Sequence, residues 1–214
     1  MFLLSPFIEF PPVELTDEDG LLAIGGDLSP ERLLVAYKLG IFPWYNEGEI
    51  IQWHCPDPRF VLFPQQLKIS KSMQQLLKRN AFEFTTDKDF NAVITNCRDV
   101  KRKDQPGTWI HADIVKAYTK LHELGYAHSA EVWLDGKLAG GLYGVLVGKV
   151  FFGESMFSMV SNASKYAFIK FVRHLQQQGV LLIDCQVYTA HLKSLGAEMI
   201  PRISFTKLLN CYIA

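Results

Sequence analysis

The spacing of apolar positions divides the chain into a turn-rich first part and a more regular second part. Up to about Arg59 the sequence is rich in glycine and proline, and its clearest predicted element is a helix from Ser29 to Gly40. Ser29 is a favoured N-cap residue, Pro30 suits the first helical position, and Gly40 suits the end of a helix. The stiff turn at 55–59 then predicts a boundary between a small N-terminal domain, 1–60, and a larger domain, 61–214.

From Val61 onward the apolar spacing changes between strand and helix periods. It predicts helices at 70–79, 90–97, 114–125, 164–178 and 191–195, and strands at 82–86, 129–134, 137–145, 150–153, 180–185 and 198–205. Asp135-Gly136 is a strong signal for a hairpin between the second and third of these strands. Hairpins followed by a helix, a buried strand and another helix–strand pair predict a mixed α/β sheet, which many folds share.

Composition excludes several classes of protein. The chain has 214 residues, of which 49% are hydrophobic and 21% are charged, as expected for one large domain with or without a small one. The densest apolar region, 138–152, is interrupted by glycines and by Lys149, so no membrane helix is predicted. The N-terminus lacks the features of a signal peptide, and the four cysteines form no C-x-x-C pair. We therefore expect a cytoplasmic protein without a disulfide scaffold.

Charge and potential ligand residues give no sign of nucleic acid or metal. The 22 basic and 22 acidic residues cancel, whereas a protein that coats nucleic acid is normally basic. Any contact with RNA must then come from local patches. The six histidines and four cysteines form no ligand cluster beyond the adjacent His54-Cys55, so no metal site is predicted.

Nine short motifs follow one another in an order that secondary structure alone does not require. They read GLLAIGGDLS (20–29), GIFPW (40–44), PDPR (56–59), GTWI (107–110), GGLYG (140–144), GESMFS (153–158), NASK (162–165), IDCQV (183–187) and SLGA (194–197). Together they closely resemble the leucyl/phenylalanyl-tRNA–protein transferase family, from about residue 10 to about residue 206. The chain departs from the usual pattern at His54-Cys55, where Trp-Ser is usual, and at Met159, where arginine is common. These departures concern contacts with RNA or acceptor, not the class of reaction.

The resemblance implies both a reaction and a fold. A member of this family transfers leucine or phenylalanine, and less well methionine, from its tRNA to a protein that begins with arginine or lysine, which marks that protein for the N-end degradation pathway. Its catalytic domain is similar to the GNAT acyltransferase fold, with a small N-terminal domain packed on it. The aminoacyl-tRNA is a substrate, so no cofactor is expected, and we expect a monomer with no membrane partner.

Such a transfer requires little covalent catalysis by the protein. Replacing an ester by an amide runs downhill, provided that a deprotonated amine is held against the ester carbonyl. Positioning of this kind lowers a barrier by roughly 7 to 11 kcal/mol. The sequence agrees with this requirement because it has no nucleophilic serine elbow and no evident Cys/His pair.

By resemblance, Asp184 and Gln186 are the catalytic pair. One residue separates them on a predicted strand, so both side chains project to one face and Cys185 projects to the other. We expect the Gln186 carbonyl to accept a hydrogen bond from the attacking amine, with Asp184 fixing the orientation of the amide. The proton then leaves through water or the terminal ribose hydroxyl. The alternative is an ordinary polar strand end whose side chains are satisfied.

Glu154 and four apolar residues also belong to the active site by resemblance. We expect Glu154 to bind the cationic acceptor terminus, although a surface carboxylate paired with a lysine would look the same in sequence. The residues that map onto the aminoacyl pocket are Leu142, Phe151, Met156 and Phe168. Discrimination by a methylene is worth only about 1 to 3 kcal/mol, so loose choice among leucine, phenylalanine and methionine is expected. Phe168 also fits plain core packing on the buried face of its helix.

Two tryptophans and a set of cations are the candidate contacts with tRNA. Trp44 and Trp109 match the family's tryptophans near the 3′-terminal adenosine, where stacking contributes roughly 1 to 3 kcal/mol. In isolation each would more often be a core residue. The cations assigned to phosphates of the acceptor stem are Lys68, Lys71, Lys78 and Arg79 on one helix, and Arg98, Lys101, Arg102 and Lys103 in a loop. A solvated helix face with cations at its C-terminus explains them equally well.

Two other functions compete with aminoacyl transfer. An acetyltransferase that uses coenzyme A generally needs a glycine-rich turn at a helix start to hold the pyrophosphate, but the corresponding segment, 161–165, reads SNASK without glycine. A module that only binds tRNA or peptide would bind both without transferring an amino acid.

Overall fold

Two β-sheets organise the chain. The computed structural model describes residues 2–100 and 108–213. Its strands are β1 (Phe2–Leu4), β2 (Leu21–Gly25), β3 (Phe42–Pro43), β4 (Gln52–His54), β5 (Arg59–Leu62), β6 (Glu83–Thr86), β7 (Ala127–Leu134), β8 (Lys137–Val147), β9 (Val150–Ser158), β10 (Leu182–Gln186) and β11 (Glu198–Ile200). Its α-helices are α1 (Pro30–Lys38), α2 (Lys71–Lys78), α3 (Phe90–Asp99), α4 (Ala112–Glu123), α5 (Ala163–Gln177), α6 (Ala190–Ser194) and α7 (Arg202–Tyr212). The mixed α/β class predicted from the sequence is confirmed.

The larger sheet carries the candidate site. Its strand order is β11-β5-β10-β9-β8-β7-β6, and the smaller sheet has the order β1-β2-β4-β3. In the larger sheet, β9 and β10 run parallel, whereas the other neighbouring strands run antiparallel. The predicted hairpin between β7 and β8 is confirmed. Asp135 and Gly136 both have positive φ, 51° and 72°, as a two-residue hairpin turn of this hand requires.

Two of the predicted helices begin at serine N-caps. The Ser29 hydroxyl accepts a hydrogen bond from the Arg32 backbone N–H at 3.4 Å, and Pro30 is the first residue of α1. The Ser70 hydroxyl accepts from the Met73 backbone N–H at 3.3 Å and so caps α2. These side chains satisfy backbone donors that have no partner within the helix.

Two hydrophobic clusters cover the two faces of the larger sheet. The first cluster contains buried residues of α1, α3, α4 and α7, and the second contains buried residues of α2, α5 and α6. Successive strand residues alternate between them: Phe152 lies in the first cluster and Phe151 in the second. Leu22 and Trp53 of the smaller sheet lie in the first cluster, so the N-terminal segment packs against that face. The domain boundary after residue 60 stays a prediction, and the chain crosses it inside β5.

The parallel pair β9 and β10 separates after a short contact. Leu182–Asp184 pair with Val150–Phe152, and beyond Phe152 this pairing ends. At the same point the pairing of β10 with β5 shifts register between Asp184 and Gln186, and Gln186 takes a left-handed φ of 61°. The separation opens a gap in the sheet beside the end of β10.

Three parts of the fold differ from the sequence-based prediction. The turn-rich first part forms the smaller sheet, whose strands have two to five residues and are too short for a period to be recognised. The strand predicted at 150–153 continues to Ser158. The strand predicted at 198–205 ends at Ile200, because Pro201 precedes a helix that buries Phe205 and Leu209, four residues apart, on one face. None of the described helices has the length and apolarity that crossing a bilayer requires.

Gly144 and Gly153 lie opposite each other on β8 and β9 and allow a matched test of packing. A Cβ at Gly144 would lie 2.1 Å from the Phe152 carbonyl oxygen, whereas a Cβ at Gly153 would make an ordinary contact of 3.4 Å. We expect Gly144→Ala to destabilise the protein by about 1 to 3 kcal/mol, because backbone must move to accept the methyl group. Thermal unfolding should show a lower Tm for Gly144→Ala than for Gly153→Ala, and equal Tm values would contradict this packing.

Candidate active site

A cavity of about 520 Å³ occupies the gap between β9 and β10. Its walls include residues of both hydrophobic clusters, so it extends from one face of the larger sheet to the other. Glu154, Asp184 and Gln186 line it together with many apolar side chains. A concave, mostly apolar site with a few polar groups is typical of small-ligand binding.

A buried ion pair holds Asp184. Arg59 Nε lies 2.8 Å from Asp184 Oδ1, and Arg59 Nη2 lies 2.6 Å from Oδ2. Both residues are fully buried, and the rings of Phe42 and Phe205 each lie 4.7 Å from the guanidinium carbon. Burial alone would lower the pKa of Arg59, but the Asp184 carboxylate raises it above its ordinary value. The bidentate geometry fixes the carboxylate in one orientation.

Gln186 is held at two points. Its backbone N–H donates to Asp184 Oδ1 at 2.9 Å, and its side-chain Nε2 donates to Glu154 Oε1 at 2.9 Å. Asp184 therefore orients the backbone of Gln186, while Glu154 orients its amide, which corrects the expectation that Asp184 fixes the amide directly. With its nitrogen facing Glu154, the amide keeps its carbonyl oxygen for another donor.

Glu154 is enclosed by hydrogen-bond donors. Tyr37 Oη donates to Glu154 Oε1 at 2.8 Å, Tyr118 Oη donates to Oε2 at 3.1 Å, and the two hydroxyls also contact each other. Burial raises the pKa of Glu154 to about 7, although the bonds from Tyr37 and Tyr118 act to lower it. Burial, followed by the Glu154 charge, raises the pKa of both tyrosines well above the ordinary value. Both carboxyl oxygens are therefore engaged within the protein, and the expected binding of the acceptor cation by Glu154 stays a prediction.

The four residues predicted to form the aminoacyl pocket are brought together. Leu142, Phe151 and Phe168 are buried, Met156 is half-buried, and all four line the cavity. They lie in or against the second cluster, on the face covered by α5. The apolar end of the cavity is thus separated by the strand gap from the tyrosines that surround Glu154.

Both predicted tryptophans line the same cavity. Trp44 is 42% exposed, so it is not a core residue, and its ring meets His54 edge-on at a centroid distance of 5.7 Å. Trp109 is half-buried and packs against the first cluster.

Those predicted phosphate-binding cations that lie in the described residues do not form one surface. Lys71, Lys78 and Arg79 are exposed at α2, and Lys68 lies before that helix, not on it as expected. Arg98 lies in the last turn of α3, not in a loop as expected. Helix α2 packs in the second cluster, whereas α3 packs in the first. The Arg98 Nε is also engaged by Asp99 Oδ1 at 2.7 Å. The remaining cations, Lys101, Arg102 and Lys103, lie outside the described residues.

Sequence reasoning missed the residues that hold the polar part of the site. In the sequence Arg59 is only the last residue of the PDPR motif, and Tyr37 and Tyr118 are only positions within two predicted helices. The available signal was indirect: a buried carboxyl group needs donors around it. Among the described residues, no group of three or more histidine, cysteine or acidic side chains is placed to hold a metal ion.

Solved structures resemble this chain at low identity. The structure named L-PGS from Bacillus licheniformis superposes with a TM-score of 0.43 at 12% identity, covering 81% of this chain and 56% of that one. A GCN5-related N-acetyltransferase from Kribbella flavida superposes with a TM-score of 0.36 at 11% identity, covering 81% and 61%.

Sequence comparison gives much higher similarity. A relative from Nitrosomonas eutropha is 58% identical over 203 residues, which cover 94% of this chain and 86% of the relative. One from Christiangramia forsetii is 56% identical over 211 residues, covering 98% and 100%. Both are named leucyl/phenylalanyl-tRNA–protein transferase. Residues 61–210 match the family model of that name, and residues 26–57 match its N-terminal domain. The chain therefore belongs to the leucyl/phenylalanyl-tRNA–protein transferase family of enzymes, as its motifs predicted.

Proposed function

We propose that the cavity joins the amino acid of leucyl-tRNA or phenylalanyl-tRNA, and less well of methionyl-tRNA, to the α-amine of proteins that begin with arginine or lysine. The observation that carries this proposal is the position of the Gln186 amide at the edge of an apolar pocket. Asp184 accepts a hydrogen bond from the Gln186 backbone N–H, and Glu154 accepts one from its side-chain nitrogen. An acceptor for the amine and a binding site for an apolar acyl side chain are thereby adjacent.

The donor side chain is proposed to enter the apolar end of the cavity. Leu142, Phe151, Met156 and Phe168 offer no polar group to their occupant. An apolar pocket of this kind distinguishes side chains by shape alone, so that leucine, phenylalanine and methionine all gain favourable burial. The exposed face of Trp44, together with Trp109, is proposed to stack on the 3′-terminal adenosine, which accounts for acceptance of different tRNA sequences.

The acceptor amine is proposed to bind at the Gln186 carbonyl oxygen. As the amine attacks the ester, its nitrogen becomes more positive, and a hydrogen bond to a fixed carbonyl dipole becomes stronger. Asp184 contributes by holding the Gln186 backbone, since its charge is already paired with Arg59. The exposed cations Lys68, Lys71, Lys78 and Arg79 remain candidate contacts with tRNA phosphates, with Arg98 as a separate contact.

The wider context of the reaction follows from the same proposal. The enzyme acts in the cytoplasm as a monomer, needs no cofactor besides its aminoacyl-tRNA substrate, and marks its products for degradation by the N-end pathway. Incubation with labelled leucyl-tRNA and a peptide that begins with arginine tests the reaction directly. Labelled peptide is expected, and the same peptide with an acetylated amino terminus should remain unlabelled. Binding of tRNA and peptide without transfer would overturn the proposal.

Gln186→Glu tests the role of the amide. The variant replaces an N–H donor by a second carboxyl group facing Glu154, so the acceptor oxygen is displaced. We expect the single-turnover transfer rate to fall by about a hundredfold, as misplacement of a reacting group by an ångström does. Gln177→Glu, at an exposed position of α5, is the matched control and should transfer normally. Transfer by Gln186→Glu at the wild-type rate, with the wild-type pH profile, is incompatible with this role.

The Arg59–Asp184 ion pair separates stability from activity. Asp184→Asn leaves Arg59 buried without a counter-charge and should cost about 3 to 5 kcal/mol of unfolding free energy. The double variant Arg59→Met, Asp184→Leu buries no charge and should recover most of that stability in urea unfolding. Transfer should not recover, because the Gln186 backbone N–H has lost its acceptor. A double variant that recovers both properties would show that the pair is only structural.

Leu142→Phe tests the acyl pocket. The larger ring makes the pocket smaller. A phenylalanyl group should be excluded more strongly than a leucyl group, because it needs more space. We expect kcat/KM for phenylalanyl-tRNA to fall at least roughly tenfold relative to leucyl-tRNA, the lower end of hydrophobic-pocket discrimination. The ratio of the two donors within one preparation corrects for any loss of folded protein. An unchanged ratio places the donor side chain elsewhere.

A further inference from the structure

Three oxygen–oxygen contacts form a closed triangle beside Gln186. Tyr37 Oη contacts Glu154 Oε1, Tyr118 Oη contacts Glu154 Oε2, and the two tyrosine hydroxyls contact each other. We call these three residues the acid–tyrosine ring. Tyr37 and Tyr118 are fully buried and Glu154 is 9% exposed at the cavity wall, so the contact between the two tyrosine hydroxyls is closed to solvent.

The number of protons decides whether this ring can close. Each hydrogen bond needs one proton between its two oxygens, and each tyrosine hydroxyl brings one. When Glu154 is a carboxylate, only two protons are available for three contacts, so one pair of oxygens has no hydrogen between its members. With Glu154 as a neutral acid, its own proton goes to Tyr118, Tyr118 donates to Tyr37, and Tyr37 donates to Glu154 Oε1. The observed triangle is thus fully satisfied only when the ring holds one extra proton.

The charges around the ring come from several elements. Tyr37 belongs to α1 and Tyr118 to α4, while Asp184 and its partner Arg59 face Glu154 from β10 and β5. Burial and the Asp184 charge favour the neutral acid, and together with the hydrogen bonds they place the pKa of Glu154 at about 7. The ring can therefore take up and release a proton near neutral pH.

The proposed reaction requires a group with this property. A protein α-amine has a pKa of about 8, so it is mostly protonated at neutral pH and must lose a proton before it can attack. The leaving ribose oxygen must gain a proton after the ester bond breaks. Efficient acid–base catalysis uses a group whose pKa lies near the working pH.

We propose that the acid–tyrosine ring stores the proton that passes from the acceptor amine to the leaving ribose oxygen. The ammonium group gives one proton to the Glu154 carboxylate and becomes the free amine. That amine forms the C–N bond as the ester C–O bond breaks, and the ring returns one proton, so that the ribose hydroxyl is restored. The second proton that nitrogen loses on becoming an amide leaves to water, which balances the overall release of one proton.

Gln186 connects the ring to the amine. Its amide nitrogen donates to Glu154 Oε1, while its carbonyl oxygen is the proposed acceptor for the amine. A single planar amide therefore keeps the amine within reach of Glu154 directly or through one water. Tyr37 and Tyr118 act as positioning residues, because they touch Glu154 and not the reacting atoms. This inference rests on the proposed function.

Infrared spectroscopy of the protein without substrates tests proton storage. The difference spectrum between wild type and Glu154→Gln should contain the carbonyl stretch of a protonated carboxylic acid at low pH, and this band should disappear as the pH rises through about 7. Tyr118→Phe should move the band to higher frequency, because the acid loses its hydrogen-bond partner. Tyr166→Phe removes a buried hydroxyl from the second cluster and should leave the band in place. Absence of the band at two pH units below that midpoint would overturn the proposal without touching transfer activity.

The pH profile of transfer tests proton passage separately. For the wild type, kcat/KM should rise as Glu154 deprotonates near pH 7 and fall as the acceptor amine deprotonates near pH 8. Glu154→Gln keeps the ring closed, with its amide donating to Tyr118, but holds no exchangeable proton. The kcat/KM of this variant should show only a rise near pH 8, and at pH 7 it should be roughly tenfold lower than that of the wild type. A variant profile with the wild-type shape contradicts proton storage, whereas no transfer by any protein, wild type included, contradicts the proposed function instead.

Discussion

The ion pair between Arg59 and Asp184 is the interaction on which the site depends. It joins β5, the first strand of the larger sheet along the chain, to β10, which ends at the cavity. The rings of Phe42 and Phe205 pack against the guanidinium from two distant parts of the chain. Buried ion pairs add little net stability, because desolvation opposes attraction. The contribution of this pair is geometric: it fixes the carboxylate oxygen that holds the Gln186 backbone in its left-handed conformation.

The separation of β9 and β10 explains why one cavity has two chemically different ends. Once β10 departs from β9, the sheet no longer separates its two faces, and a single space reaches both. Apolar residues packed under α5 form one end. At the other end, Gln186 and Glu154 meet the tyrosines of α1 and α4. This arrangement supports the proposal that an acyl side chain and an amine bind at opposite ends of the cavity.

The surroundings of Glu154 change the properties of its carboxyl group. A carboxylate at the cavity edge would attract a cationic acceptor, but this one is buried and its oxygens are engaged by Tyr37, Tyr118 and Gln186. Burial favours the neutral acid, the hydrogen bonds from Tyr37, Tyr118 and Gln186 act against it, and burial has the larger effect on the pKa. A group expected to supply a fixed negative charge thus has a pKa near neutrality and orients the Gln186 amide.

The sequence by itself determined the elements that local chemistry specifies: the helices capped by Ser29 and Ser70, the Asp135-Gly136 hairpin, and the mixed α/β class. Its ordered motifs also identified the family and predicted a set of site residues, of which the members predicted to be catalytic, to form the pocket or to stack as tryptophans line one cavity. Tertiary structure alone decided the short strands of the smaller sheet, α7, and the partners Arg59, Tyr37 and Tyr118. The physical reason is distance along the chain. Arg59 and Asp184 are 125 residues apart, Tyr37 and Glu154 are 117 apart, and no periodicity or capping rule relates positions so far separated.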